Sequence, residues 1–81
     1  MDIKTTDLFL SAFLINNQIR PSDIITEGSS KKKVIFLFPE TKHSIELTKQ
    51  FKLGQAVTNV LDLKRNLQHV RDMMFDKLRE I

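Results

Sequence analysis

The last third of the chain carries one apolar stripe that limits the folds open to it. Its members follow one another at steps of three or four residues: Val60, Leu63, Leu67, Val70, Met74, Leu78 and Ile81. This spacing predicts one long amphipathic helix over residues 58–81, close to the pattern of a coiled coil. Such a stripe needs a partner surface, and an 81-residue chain forms a single small domain that offers little of it.

The remaining segments predict two more helices and a hairpin. Residues 6–17 form a helix that is apolar nearly all round, and residues 19–38 form two strands around a turn at Gly28. Residues 40–53 form the second helix, which Gly54 ends. The second strand is apolar on both faces, so the hairpin needs cover on both sides.

These elements predict an α+β fold of the order α-β-β-α-α in one domain over residues 1–81. A two-stranded antiparallel hairpin packs with three helices, and the C-terminal helix is long and amphipathic. Thr5 or Thr6 is expected to cap the first helix, and Thr58 or Asn59 the last. The expected buried residues of the second helix are Ile45, Leu47 and Phe51.

The distal part of the last helix is the predicted interface. A helix over residues 59–81 would span about 34 Å, longer than a domain of this size is wide. Together with the first helix and the two-faced hairpin, this length favours a homodimer over a monomer. The predicted interface residues are Val70, Met73, Met74, Phe75, Leu78 and Ile81.

Residues suited to catalysis or metal binding are sparse. Cysteine is absent, and the two glycines exclude a phosphate-binding loop or a dinucleotide fingerprint. His43 and His69 lie 26 positions apart and outside any metal-binding pattern. The row Asp72, Asp76 and Glu80 fits a solvated helix face better than a cation site. We therefore expect no enzyme, catalytic residue, metal or cofactor.

The sequence also bears on location. No stretch approaches the about 18 apolar residues of a membrane span, and the first residues lack the features of a signal peptide. We therefore expect a cytoplasmic protein without a membrane partner or a small-molecule substrate.

Positive charge is concentrated in the middle of the chain. The net charge is +3, and residues 31–52 carry six lysines against two glutamates. Lysines at a hairpin turn and beside a helix can neutralise phosphates. The candidate nucleic-acid-binding residues are Lys31, Lys32, Lys33, Lys42, Lys49 and Lys52, with Lys64 and Arg71 as secondary contacts. The alternative interpretation is a hairpin tip whose lysines maintain solubility and discourage edge-to-edge sheet pairing.

Residues 5–14 read TTDLFLSAFL. They resemble the opening helix T-x-D-L-[YF]-L-[AS]-A-x-L of a domain family of unknown function, common in small proteins of phages, plasmids and integrated elements. Residues 34–41 are similar to its second strand, and the stretches around residues 47–51 and 57–74 to its two later helices. The resemblance implies the fold above and a mobile-element origin, but no catalytic residues. The lysine run and the tail beyond residue 74 look like additions to the family pattern.

Two function hypotheses follow. The first is a small non-enzymatic accessory or regulatory protein of a phage or other mobile element, acting as a homodimer that contacts DNA or RNA through its basic centre. The alternative is a protein–protein adaptor or inhibitor that binds a host or phage protein through residues 70–81. Binding to nucleic acid should weaken steeply with salt, whereas an adaptor should lose its partner when Met74 or Leu78 becomes charged.

Overall fold

A computed structural model gives the fold and describes residues 2–80 of the chain. Its elements are β1 (Asp2–Thr5), α1 (Leu8–Asn16), β2 (Asp23–Glu27), β3 (Lys33–Pro39), α2 (Lys42–Lys52) and α3 (Val60–Arg79). The α+β class, the three helices and the long C-terminal helix are confirmed within these residues. The order within residues 2–80 is β-α-β-β-α-α, which differs from the predicted order by the additional strand β1.

The strands of the described chain form one antiparallel sheet of three, in the order β1-β3-β2, rather than a two-stranded hairpin. β1 is an edge strand in which Ile3 pairs with Phe38 and Thr5 with Phe36. The sequence did not reveal β1 because four residues with one large apolar side chain are too few for an alternation to show. β3 therefore lies in the centre of the sheet and has a neighbour on each side.

The side chains of β3 alternate between two different faces of the sheet. Phe36 and Phe38 are fully buried with Val34 in the core, on the face that the helices cover. Ile35 and Leu37 point to the opposite face, as strand alternation requires, and are only half-buried. We call these the core face and the outer sheet face.

α1 lies at the centre of the helical layer. Its residues from Leu10 to Leu14 are all buried, as expected for a helix that is apolar nearly all round. Asp7 caps the helix, because its carboxylate accepts hydrogen bonds from the Phe9 and Leu10 amides at 2.9 and 3.1 Å. The prediction of a threonine cap was wrong, since Thr5 belongs to β1.

α2 begins with a reciprocal pair of caps. The Thr41 hydroxyl accepts from the Ser44 amide at 3.0 Å, and the Ser44 hydroxyl accepts from the Thr41 amide at 2.7 Å. Leu47 is buried and Phe51 packs against the core, as predicted, but Ile45 is 48% exposed. The prediction for Ile45 was wrong because the buried Ser44 occupies the inner side of that turn, and the next residue lies about 100° away.

α3 follows the Asn59 cap, whose side chain accepts from the Asp62 amide at 3.1 Å. Its buried stripe starts at Leu63, since Val60 is 77% exposed. Twenty residues give a helix of about 30 Å, within the 36 Å long axis of the molecule, so α3 lies along the domain and does not project from it. Ile81, the last predicted member of the stripe, lies outside the described residues. No helix within residues 2–80 is long and apolar enough to cross a membrane.

Candidate functional site

The candidate lysines of the basic centre belong to two segments, one at each end of β3: the β2–β3 turn and α2. The hairpin lysines, Lys31, Lys32 and Lys33, are exposed where the β2–β3 turn enters β3. α2 begins three residues after the opposite end of β3, at Lys42. The ends of β3 are about 20 Å apart at about 3.3 Å per residue. The hairpin lysines and Lys42 therefore lie at opposite ends of β3.

The turn that presents the hairpin lysines depends on Gly28. Its φ angle of +104° lies in the region that L side chains rarely adopt, and a Cβ atom there would collide with the backbone carbonyl of Lys31. The turn thus brings the backbone of Gly28 and Lys31 together, and the three lysines leave it in succession. Lys33, the last of the three, pairs with Glu27 of the neighbouring strand where the hairpin begins.

The α2 lysines, Lys42, Lys49 and Lys52, share one exposed side of their helix. At about 100° per residue they fall within an arc of about 80°, away from the buried Leu47. Lys49 and Lys52 lie in the last turn, where the helix dipole favours positive charge. Their ammonium groups therefore line one solvent-facing side of α2, which the exposed Ile45 interrupts.

The two secondary bases lie on α3. Lys64 and Arg71 are exposed and share one side of the helix with Gln68, at the spacing i, i+4 and i+7. The Gln68 amide donates a hydrogen bond to the Asp72 carboxylate at 3.1 Å, so an acidic group borders this stripe. Lys64 and Arg71 therefore belong to a surface of mixed charge.

Ion pairing separates the candidate bases from Arg65, Lys77 and Arg79, the other three bases of α3. The ion pairs within residues 2–80 are confined to α3, where Arg65 pairs with Asp62 at 3.9 Å, Lys77 with Glu80 at 3.1 Å, and Arg79 with Asp76. None of the eight candidate bases forms an ion pair in the described part of the chain. Their charge is therefore available to an external polyanion.

Most of the predicted interface belongs to the core of the chain itself. Val70 is fully buried, so the prediction that it contacts a partner was wrong. Met73, Met74 and Leu78 pack against the core and offer only part of their surface. The stripe is covered by α1 and the sheet, which β1 enlarges beyond the predicted hairpin. Phe75 is 53% exposed, the one large apolar side chain of residues 70–80 that faces solvent to this extent.

Sequence reasoning missed a second apolar surface, at the connection between α2 and α3. Four aliphatic side chains there are between 60% and 89% exposed: Leu53, Val57, Val60 and Leu61. We call them the apolar junction. Leu53, Val57 and Leu61 lie outside the apolar stripe of the last helix, whereas Val60 fits its spacing. The periodicity of the sequence therefore did not identify these four residues as exposed. The available signal was four aliphatic residues within nine positions of a connection that Gly54 punctuates.

A cleft of about 930 Å³ lies between α3 and the connection from α1 to β2. Two of its lining residues are joined by a hydrogen bond, in which the Asn66 side-chain amide donates to Asn16 Oδ1 at 2.7 Å. The Asn16 side-chain amide in turn donates to the Thr58 hydroxyl. The lining contains bases and carboxylates, namely Arg20, Asp23, Asp76, Lys77 and Glu80, and also His69. His43 lies on another helix, and no cluster of three or more His, Asp or Glu residues within residues 2–80 could hold a metal.

Comparisons of the chain with protein-family models, curated proteins and solved structures find no match. The resemblance of residues 5–14 to a mobile-element family stays a prediction from the sequence.

Proposed function

We propose that the chain is a small non-enzymatic accessory or regulatory protein of a phage or other mobile element. It acts in the cytoplasm as a homodimer and binds nucleic acid through the hairpin lysines and the α2 lysines. The observation that carries the nucleic-acid part is the exposure of these bases without ion-pair partners among the described residues. The resemblance of residues 5–14 supports the origin in a mobile element.

The chemistry of the basic surfaces favours contacts with phosphates over contacts with bases. Seven of the eight candidate residues are lysines, whose ammonium groups act as point charges, and Arg71 is the single arginine among them. Bidentate recognition of guanine relies mostly on arginine. The protein therefore binds DNA or RNA with little sequence preference, and most of its affinity comes from counterion release.

The first prediction concerns the salt dependence of binding to labelled random-sequence duplex and single-stranded DNA. On duplex DNA, we expect affinity to fall about 40-fold between about 50 and 200 mM salt for every three phosphates contacted. The variants Lys31/Lys32/Lys33→Gln and Lys42/Lys49/Lys52→Gln should each weaken binding at least about 10-fold at the lower salt concentration and flatten the salt slope. Fluorescence anisotropy on the labelled DNA measures both quantities.

The matched control is Arg65/Lys77/Arg79→Gln, which removes the same charge from three bases that already form ion pairs. This variant should bind within about threefold of the wild type, since its bases have carboxylate neighbours. Equal losses in all three triple variants would show that net charge alone matters and would contradict the assigned surfaces. An absence of binding at about 50 mM salt would overturn the nucleic-acid proposal.

A second candidate function rests on the apolar junction. Leu53, Val57, Val60 and Leu61 form an exposed apolar group of the kind that marks a protein-binding surface. Lys49, Lys52 and Lys64 are near these residues in sequence and form no ion pair among residues 2–80, whereas Arg65 pairs with the neighbouring Asp62. An acidic protein partner fits this combination best, so the adaptor hypothesis moves from residues 70–81 to the apolar junction.

The adaptor hypothesis predicts a loss of partner binding on charge insertion at Val57. A photo-crosslinking residue at position 57 identifies the partner, which is then purified and titrated by calorimetry. We expect Val57→Asp to weaken its binding at least about 100-fold, because a charge would be buried in the contact. Ile45→Asp, at an exposed apolar position of α2, is the control and should leave affinity unchanged. Equal binding by the two variants would contradict this function.

A further inference from the structure

The outer sheet face carries an apolar patch between two rows of charge. Directly paired residues of antiparallel strands point to the same side of a sheet, so the strand register defines which side chains share this face. From one end of the strands to the other, the rows are Asp2 and Pro39; then Lys4, Leu37 and Asp23; then Ile35 and Ile25; then Lys33 and Glu27. The two rows next to the isoleucines each contain one base and one carboxylate.

The apolar patch has no cover within the described chain. Ile25, Ile35 and Leu37 are half-buried, and none of them packs against the core among residues 2–80. The helices of this part of the chain lie over Phe36 and Phe38, on the core face. A sheet with large apolar side chains on both faces is stabilised by cover on both. The outer sheet face is therefore an unpartnered surface of the fold.

We propose that a second copy of the chain covers the outer sheet face, which deepens the homodimer of the proposed function by naming its surface. Two sheets pack face to face at about 10 Å with their strands within about 30° of each other. A two-fold axis parallel to the strands, between β2 and β3, makes each row meet the same row of the second copy. Ile35 then lies over Ile25 of the second copy, Lys33 over Glu27, and Leu37 over Asp23.

Charge complementarity identifies a second copy as the occupant. Because the row of Lys33 and Glu27 carries both signs, the two-fold operation brings Lys33 of each copy to Glu27 of the other without any other partner chemistry. Edge pairing is limited, because the edge strands β1 and β2 have only four and five residues.

The dimer is tested by sedimentation of the wild type without nucleic acid, from about 10 to about 500 µM protein. We expect a monomer–dimer equilibrium whose dissociation constant rises at least about 100-fold in Ile35→Glu, since the new carboxylate would be buried between the sheets. The control Ile45→Glu, at an exposed site of α2, should dimerise like the wild type. A monomeric wild type across this range, or equal effects of the two substitutions, would overturn the proposal.

A second pair of variants tests how the two copies are oriented in the dimer. It does not introduce a charge into the apolar patch. Glu27→Lys and Lys33→Glu each give a row of like charge, so each variant alone should be largely monomeric. Mixed in equal amounts, the two variants should form a heterodimer, because the row of one then opposes a row of the other sign. Failure of the mixture to associate more than either variant alone would overturn the two-fold arrangement. These measurements contain no DNA. Lys33 belongs to both proposed surfaces, so Lys42/Lys49/Lys52→Gln, which leaves the outer sheet face unchanged, is the variant that tests nucleic-acid binding independently of the dimer.

Discussion

Phe36→Ala is expected to lower the free energy of unfolding by about 3–5 kcal/mol, because it leaves a cavity at the centre of the core. Phe36 is 0% exposed to solvent and lies on the central strand of the sheet. It pairs with Thr5 of β1 on one side and with Ile24 of β2 on the other. Folded domains of this length are stable by only about 4–12 kcal/mol in total. The substitution should therefore leave a protein that is partly unfolded at ordinary temperature.

The matched control is the neighbouring residue of the same strand. Ile35→Ala removes a side chain from the outer sheet face, which is half-buried, and should cost less than about 1.5 kcal/mol in dilute monomeric protein. Urea unfolding followed by far-ultraviolet circular dichroism measures both, since the chain contains no tryptophan or tyrosine for fluorescence. Equal destabilisation by the two substitutions would contradict the assignment of the two faces of β3.

The elements with strong local signals were predictable from the sequence. The steps of three and four residues identified α3, and the turn around Gly28 with a following apolar run identified β2 and β3. β1 was not predictable in this way, because its stability comes from pairing with β3 and not from its own pattern. Ile45 shows the same limit: only the packing of Ser44 under its capping bonds decides which side of α2 is buried.

The candidate surfaces were predictable only in part. Exposure of lysine follows from its chemistry, so the residue types of the basic surfaces were available from the sequence. The separation of Lys33 from Lys42 was not, because it depends on how the seven residues of β3 extend between them. The apolar junction was missed because an exposed aliphatic residue and a buried one look alike in sequence. The outer sheet face was implied by the two-sided apolar pattern of β3, but its charged rows needed the register.

The second large effect is expected at Val70, which tests whether the helical stripe belongs to the core or to a partner. Val70→Asp would bury a carboxylate without a hydrogen-bond donor at a position that is 0% exposed. We expect a loss of about 4 kcal/mol or more in the free energy of unfolding, which is close to the whole stability of the chain. Circular dichroism and urea titration should then show a largely unfolded protein.

Phe75→Asp is the control on the same helix, because the Phe75 side chain is 53% exposed. This substitution should lower the free energy of unfolding by about 1 kcal/mol or less. If α3 used its stripe mainly to contact a partner, Val70→Asp would give a folded monomer that has only lost its partner. If the stripe forms the core, the same substitution unfolds the chain whatever its concentration. A folded, monomeric Val70→Asp protein would therefore contradict the packing of α3 on α1 and the sheet, and would return the interface to residues 70–81.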